Sequence, residues 1–192
     1  MRVSEMNRVT KETKIYISID LDGSGQADIR TGIGFLDHML ELFAFHSQFD
    51  LVVKCEGDLD VDDHHTVEDC GIVLGQVFNQ ALKDRIGIAR YGNCRLPMDE
   101  SLAQVDLDLS KRSYCVFHCD FNRPSIGMLS TEMIKEFFIA FANNSGTTLH
   151  MNLIYGDNDH HKAEALFKGF ARALKQATRI ESDALPSTKG IL

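Results

Sequence analysis

Along Lys14-Ile15-Tyr16-Ile17-Ser18-Ile19-Asp20-Leu21 apolar and polar residues alternate, and the apolar ones are largely β-branched, so a strand with one buried face is predicted. Asp22-Gly23-Ser24-Gly25 then supplies turn residues before a short strand near Ala27–Arg30, a hairpin signal. From Phe35 to Phe45 the spacing changes, and apolar positions 35, 36, 39, 40, 42 and 43 fit one helix. Phe49–Cys55 predicts a strand and Glu56–Asp62 a polar loop. His64–Leu82 predicts a second helix, with Val67, Cys70, Val73, Leu74, Val77, Phe78 and Ala81 recurring at three and four. The same order then returns. Leu102–Leu109 and Ser113–Cys119 alternate, Thr131–Ala142 is helical, Thr147–Ile154 is a strand, Gly156–Asp159 a loop and His160–Ile180 a long helix.

Sliding the chain on itself by 160 − 64 = 96 residues lays Asp63-His64-His65 over Asp159-His160-His161 and Glu68 over Glu164. A repeat of that period implies a duplicated ββαβα unit. Neither half could cover its own sheet, so an α+β fold is expected in which the halves form a two-layer sandwich within one domain, residues 1–192. The halves run from about 8 to 90 and from 91 to 182, with Gly87–Pro97 as the joint. Residues 183–192 have the composition of an unstructured tail.

Composition narrows the function. Lys and Arg number 20 against 28 Asp and Glu, a net charge of −8, which argues against a general nucleic-acid binder. No apolar run approaches the roughly 20 residues that span a bilayer, and Met1–Glu5 lacks the layout of a signal peptide. The five Cys follow no framework spacing, so reduced thiols in a cytoplasmic protein are expected. Cys115 and Cys119 sit in an alternating run and read as core.

The chemistry lies in the histidines. Four of the eight occur as adjacent pairs, each followed by Glu at one distance. Residues four apart on a helix share a face, whereas neighbours point about 100° apart. His64 can therefore grip an ion with Glu68, and His160 with Glu164, while His65 and His161 are aimed elsewhere. Two ions satisfy all six groups if each takes a His–Glu pair from one motif and the odd His from the other. Such imidazole and carboxylate donors suit Mn, Fe, Ni or Zn, and the motifs lack the Cys of a structural zinc site. The bland alternative, helix-capping or solvated histidines, has to explain the same motif twice in register. His38, after a glycine-bearing turn, and His150, at a strand end, are further candidate ligands; His118 reads as structural.

At this point the residues resemble a known family. Glu12 in Arg8-Val9-Thr10-Lys11-Glu12-Thr13, Thr31–Met39, Asp62–Asp69, Pro97-Met98-Asp99-Glu100, Asp157–His161 with Glu164, Phe167–Leu174 and Ser187-Thr188-Lys189-Gly190 are similar to imidazoleglycerol-phosphate dehydratases. The resemblance covers the chain from about residue 6 onward. Gln48 and Lys111 stand where the resemblance leads one to expect glycine, and the resemblance is to the single-function form, without the phosphatase domain fused to it in some bacteria. The resemblance implies a ribosomal protein S5 domain 2-like fold and two Mn(II) ions per site. His38, His65, His160 and Glu164 would hold one ion, and His64, Glu68, His150 and His161 the other. It also implies a homo-oligomer of 24 subunits assembled from trimers, with metal sites at subunit boundaries.

By the same resemblance the substrate is D-erythro-imidazoleglycerol phosphate, a small phosphorylated imidazole, dehydrated to imidazole acetol phosphate in histidine biosynthesis through a metal-bound imidazolate. Glu12 is the candidate for proton transfer, with Asp99 in support. Arg90, Arg112, Ser187 and Lys189 match phosphate-binding positions, and His46 and Lys168 are further substrate contacts alongside Glu12. A dinuclear phosphohydrolase and a non-enzymatic metal store are the rival readings of such a cluster.

Overall fold

The computed structural model describes all 192 residues. In chain order the elements are β1 (Val3–Val9), β2 (Thr13–Asp20), β3 (Ala27–Arg30), α1 (Gly34–Ser47), β4 (Asp50–Gly57), α2 (His64–Leu82), β5 (Tyr91–Met98), β6 (Ser101–Asp108), β7 (Tyr114–His118), β8 (Ser125–Ile126), β9 (Leu129–Ser130), α3 (Thr131–Ser145), β10 (Thr148–Tyr155) and α4 (Asp159–Ala177). Two four-stranded sheets have matching orders, β1-β2-β4-β3 and β5-β6-β10-β7. Each half is thus the expected ββαβα unit with one more strand in front. The added strands, β1 and β5, are sheet edges, and their mixed composition hid them. Residues 91–97, expected in the joint, belong to β5, so the connection between halves is shorter than the sequence suggested.

The expected hairpin does not form. β2 pairs antiparallel with β4, and β3 lies on the far side of β4, parallel to it. Asp50, at the start of β4, explains the crossing: its Oδ1 accepts from the backbone N–H groups of Ser24 and Gln26, both at 2.8 Å, and draws the turn across the strand end. Local turn chemistry was read correctly, but it does not say which strand comes next in the sheet.

Alternation gives each sheet one buried face: Ile15, Ile17 and Ile19 on β2, and Ala103, Val105 and Leu107 on β6. Each half is a sheet covered by its own two helices, and the halves join helix to helix, α1 on α4 and α2 on α3. A seam of phenylalanines fills this joint. Phe43 stacks on Phe170 and Phe78 meets Phe141, with ring centroids 5.5 and 5.4 Å apart, and 46 residues from both halves make one hydrophobic cluster. Cys115 and Cys119 pack against it, and burial pushes their thiols up to about 11 and about 12.

The repeat is not uniform. β2 to β6 is an offset of 101 − 13 = 88, whereas His64 to His160 is 96. The eight-residue difference lies between β7 and α3, where the second half carries the β8–β9 hairpin. Gln48 and Lys111, where the resemblance leads one to expect glycine, adopt left-handed φ values of 62° and 61°. That conformation is where glycine is free and other residues are strained. The tail has no helix or strand, yet it is tied back rather than loose: Gly87 N–H donates to the Ala184 carbonyl and Arg90 to that of Pro186.

Candidate metal centre

Both motif helices are started by neighbours of the histidines, not by the histidines themselves. Asn158 caps α4 by accepting from the N–H groups of His160 and His161, and Asp62 accepts from the N–H of His64 at 2.9 Å. The Asp that opens each motif turns inward. Asp63 accepts from the N–H and hydroxyl of Ser130 at 2.6 and 2.9 Å. Asp159, 2 % exposed, accepts from the N–H groups of Asn122 and Arg123 and pairs with buried Lys162 at 2.9 Å. The inserted β8–β9 segment is therefore held at one end by α4 and at the other by α2. This leaves all four motif imidazoles free of capping duty.

One chain assembles one set of donors. His38 of α1, and His160 and Glu164 of α4, bring Nε2, Nε2 and Oε1 within 4.8 Å of one another. Glu164 Oε1 lies 3.1 Å from His38 Nε2 and 2.8 Å from His160 Nε2. Bonds of about 2.1 Å at right angles around one ion put neighbouring donors about 3 Å apart, so this spacing fits a divalent cation with imidazole and carboxylate ligands. α1 is aimed by Asp37, whose Oδ1 accepts from the N–H and hydroxyl of Thr31 at 2.8 and 2.6 Å. The Phe35 ring, 5.0 Å from that of His160, walls the triad. Burial opposes ionisation of Glu164, but Lys168, His38 and His160 outweigh it and hold the carboxyl down to about 2. Lys168, a sequence candidate for substrate contact, thus also grips the second oxygen of Glu164.

The other motif is arranged alike but remains open. His64 Nε2 is 3.6 Å from Glu68 on the same face of α2, about half exposed. The odd histidines point away, as their spacing predicts. His65 turns Nδ1 to Asp58 Oδ2 at 3.0 Å, and its Nε2 faces Glu12 at 3.7 Å. His161 turns Nδ1 to Glu100 Oε2 at 2.7 Å, and its Nε2 faces Asp99 at 3.6 Å. Asp58 and Glu100 raise the basicity of His65 and His161 against a smaller effect of burial. His150, on β10 between Asp106 and Val116, makes no hydrogen bond or ion pair with another candidate. α2 packs on α3 and α4 on α1, so within one chain the two motifs do not share an ion. His118 bonds Asn152 at 2.9 Å, away from all of this. Asp58 escaped sequence reasoning altogether, because nothing in a loop's spacing tells which imidazole its carboxylate reaches.

The cationic candidates gather elsewhere. Arg90, Arg112, Ser187 and Lys189 line one cavity of about 410 Å³ with Ser110 and the end of the tail. Asp108 orients both arginines, taking a forked pair from Arg90 at 2.7 and 3.0 Å and lying 3.5 Å from Arg112. Burial and the charges of Lys168 and Arg172 lower the basicity of His46, in the last turn of α1.

Two rulers separate this cavity from the triad. Arg90 N–H donates to the carbonyl of Ala177, at the end of α4, and His160 stands at its beginning, about 25 Å away at 1.5 Å per residue. Along β6, Glu100 at one end holds His161 and Asp108 at the other holds Arg90, again about 26 Å apart.

Residues 31–174 match the family model of imidazoleglycerol-phosphate dehydratase. A relative of that name from Clostridium botulinum is 58% identical over 192 residues, covering 100% of this chain and 98% of its own. One from Methanosarcina mazei is 56% identical, with both chains covered in full. The crystal structure of the Staphylococcus aureus dehydratase superposes with a TM-score of 0.85 at 42% identity, over 93% of this chain and 99% of that one. The Pyrococcus furiosus structure gives 0.84 at 36% identity, over 97% and 100%. With its duplicated His-His-x-x-Glu helices and two matching sheets, the chain belongs to the imidazoleglycerol-phosphate dehydratase family.

Proposed function

We propose that the chain removes water from D-erythro-imidazoleglycerol phosphate, giving imidazole acetol phosphate in histidine biosynthesis, with two Mn(II) ions in each active site. The observation that carries this reading is the convergence of His38, His160 and Glu164 on one point. His65 would complete that set, and His64, Glu68, His150 and His161 would hold the second ion. The proton to be removed sits on a carbon without an adjacent carbonyl, so it is barely acidic. When bound, the ions supply the Lewis acidity that lets the substrate ring lose its N–H and carry charge as an imidazolate.

The chain's own groups do the rest. Glu12 lies beside the coordinating edge of His65 and would move the proton at the substrate carbon, with Asp99 beside His161 in a matching position. Arg90, Arg112 and Lys189 bring three positive charges against the single Asp108, a balance suited to a phosphate dianion, with Ser187 as a hydrogen-bond partner. His46 and Lys168 would complete the substrate contacts.

The two rulers support a site shared between copies. A molecule made of one imidazole ring, three carbons and a phosphate cannot reach from the triad to the cationic cavity of the same chain. On this reading a working site draws its metal ligands and its phosphate anchors from different copies, and the family resemblance implies that these belong to a homo-oligomer of 24 subunits built from trimers. Each copy contributes as one dehydratase domain, residues 1–192, and works in the cytoplasm. No helix is long and apolar enough to cross a membrane.

The test is a metal-reconstituted assay with imidazoleglycerol phosphate, following the keto product and free inorganic phosphate together. Keto product without phosphate release is expected. Glu12→Gln should keep its manganese content while kcat falls by about 100-fold or more, the usual weight of a proton-transfer group. Near-normal turnover in that variant would take Glu12 out of the reaction.

A further inference from the structure

Each odd histidine has a carboxylate behind it, and the two carboxylates occupy unrelated places in the duplicated chain. Asp58 stands in the loop before α2, whereas Glu100 stands in the turn between β5 and β6. Under the repeat, β4 and β10 are offset by 148 − 50 = 98, so Asp58 would fall on 58 + 98 = 156, which is Gly156, and Glu100 on 100 − 88 = 12, which is Glu12. Duplication alone therefore does not account for the pairing. The same contact has been built twice from different loops.

An ionised carboxylate can only accept, so the nitrogen facing it has to carry the hydrogen. In His65 both carboxylate oxygens of Asp58 lie at Nδ1, 3.2 and 3.0 Å away. In His161 Glu100 uses Oε2 for Nδ1 at 2.7 Å, and its Oε1 holds the N–H groups of Asp157 and Asn158 ahead of α4. In the neutral ring this makes Nε2 the unprotonated nitrogen, turned outward on the sides where Glu12 and Asp99 stand. His38, His64 and His160 likewise present Nε2 to their glutamates. Asp58 is also bonded through its own N–H to the Glu12 carbonyl, so the loop that aims His65 is tied to the turn carrying Glu12.

We propose that Asp58 and Glu100 are positioning residues of the metal centre, each fixing one odd histidine in the tautomer and direction that make Nε2 its ligand atom. This rests on the metal-bearing reading of α2 and α4 given above. Carboxylates placed behind metal-bound histidines orient the ring and strengthen it as a donor, and their loss typically weakens metal binding 10- to 100-fold. An amide in place of Asp58 can rotate to donate, which would trap the hydrogen on Nε2, the wrong nitrogen.

The experiment titrates Mn(II) into the metal-free full chain and counts free ion by electron paramagnetic resonance, with thermal unfolding of each metal-free variant alongside. Asp58→Asn and Glu100→Gln should each weaken binding about 10- to 100-fold. In alkaline buffer, where protonated His65 no longer contributes, the Asp58→Asn melting temperature should stay near that of the parent; Glu100→Gln also frees the 157–158 turn and is expected to melt earlier. A His65→Ala background separates aim from fold: there Asp58→Asn should weaken binding no further, because the ring it orients is gone. Equal weakening with and without His65 would show that Asp58 does not act through that ring, and unchanged affinity in both single variants would overturn the proposal outright. If the parent chain itself takes up no Mn(II), the metal-bearing reading falls and this inference falls with it.

Discussion

Glu164 and the two odd histidines make the metal-free protein respond to pH in opposite directions. The Glu164 carboxyl is held to about 2 in the fold against an ordinary value of 4.5, so its stabilisation is present above 4.5 and is lost as pH falls toward 2. His65 and His161 are raised above 6.5 by Asp58 and Glu100, so their contribution is complete below 6.5 and disappears as pH rises through the raised values. The melting temperature of the metal-free chain should therefore peak in mildly acid buffer and decline above it. A cation reverses the upper limb, since it binds neutral imidazole and competes with the proton. With excess MnCl2 the melting temperature should rise with pH over the range where the metal-free curve falls. Parallel curves with and without metal would contradict this account. Much of the residue scale was legible beforehand. Spacing alone paired His64 with Glu68 and His160 with Glu164 and sent their neighbours elsewhere, because helical geometry fixes those directions. What spacing could not supply was the far partner: that Asp58, Glu100 or Lys168 reaches a given group is decided by how separate elements meet.

At the scale of elements, two glycines of α2 set how closely α2 and α3 approach. A Cβ on Gly71 would lie 2.7 Å from the Phe137 carbonyl oxygen and 3.0 Å from Ala140 Cβ, and one on Gly75 would lie 2.7 Å from the Phe141 carbonyl oxygen. These two glycines, one turn apart on α2, let it seat directly on the backbone of α3 and carry the joint between the halves. Gly71→Ala should cost about 1–3 kcal/mol through overpacking, despite the better helix propensity of alanine. For a chain of this length that lowers the melting temperature by roughly 3–10 °C. Gly34→Ala is the matched control: nothing lies within 4 Å of its Cβ, so it should hold or slightly raise the melting temperature. Equal losses in both variants would remove the close-packing explanation. Helices and central strands were readable because their burial is periodic. The crossing of β3 over β4 was not, because Asp50 gathers the turn from 24 residues away or more. The edge strands β1 and β5 lacked a fully buried face to reveal them, and the β8–β9 insertion broke the register that the 96-residue shift had suggested.

On the proposed reading, the whole molecule carries two half-sites too far apart to serve one substrate within a single chain. The triad stands at the beginning of α4 and the cationic cavity at its end, and β6 repeats that separation independently. Sequence could place both sets of candidates on the chain, but it contained no distance between them, so the physical argument for a second copy rests on the fold. It also yields a test that requires no structure of the assembly. His160→Ala removes a proposed metal ligand, and Arg112→Ala removes a proposed phosphate contact while leaving Asp108 paired to Arg90. Each variant alone should be nearly inactive. If metals and phosphate anchors come from different chains, subunits of the two variants mixed in equal amounts and reassembled will pair an intact triad with an intact cavity at about a quarter of the sites, and activity should return to about a quarter of the parent value. If one chain supplied both, no intact site could arise from any mixture and the hybrids would stay as inactive as their components. Activity measured across mixing ratios decides between these outcomes, because recovery from shared sites must peak at equal proportions and vanish at either end.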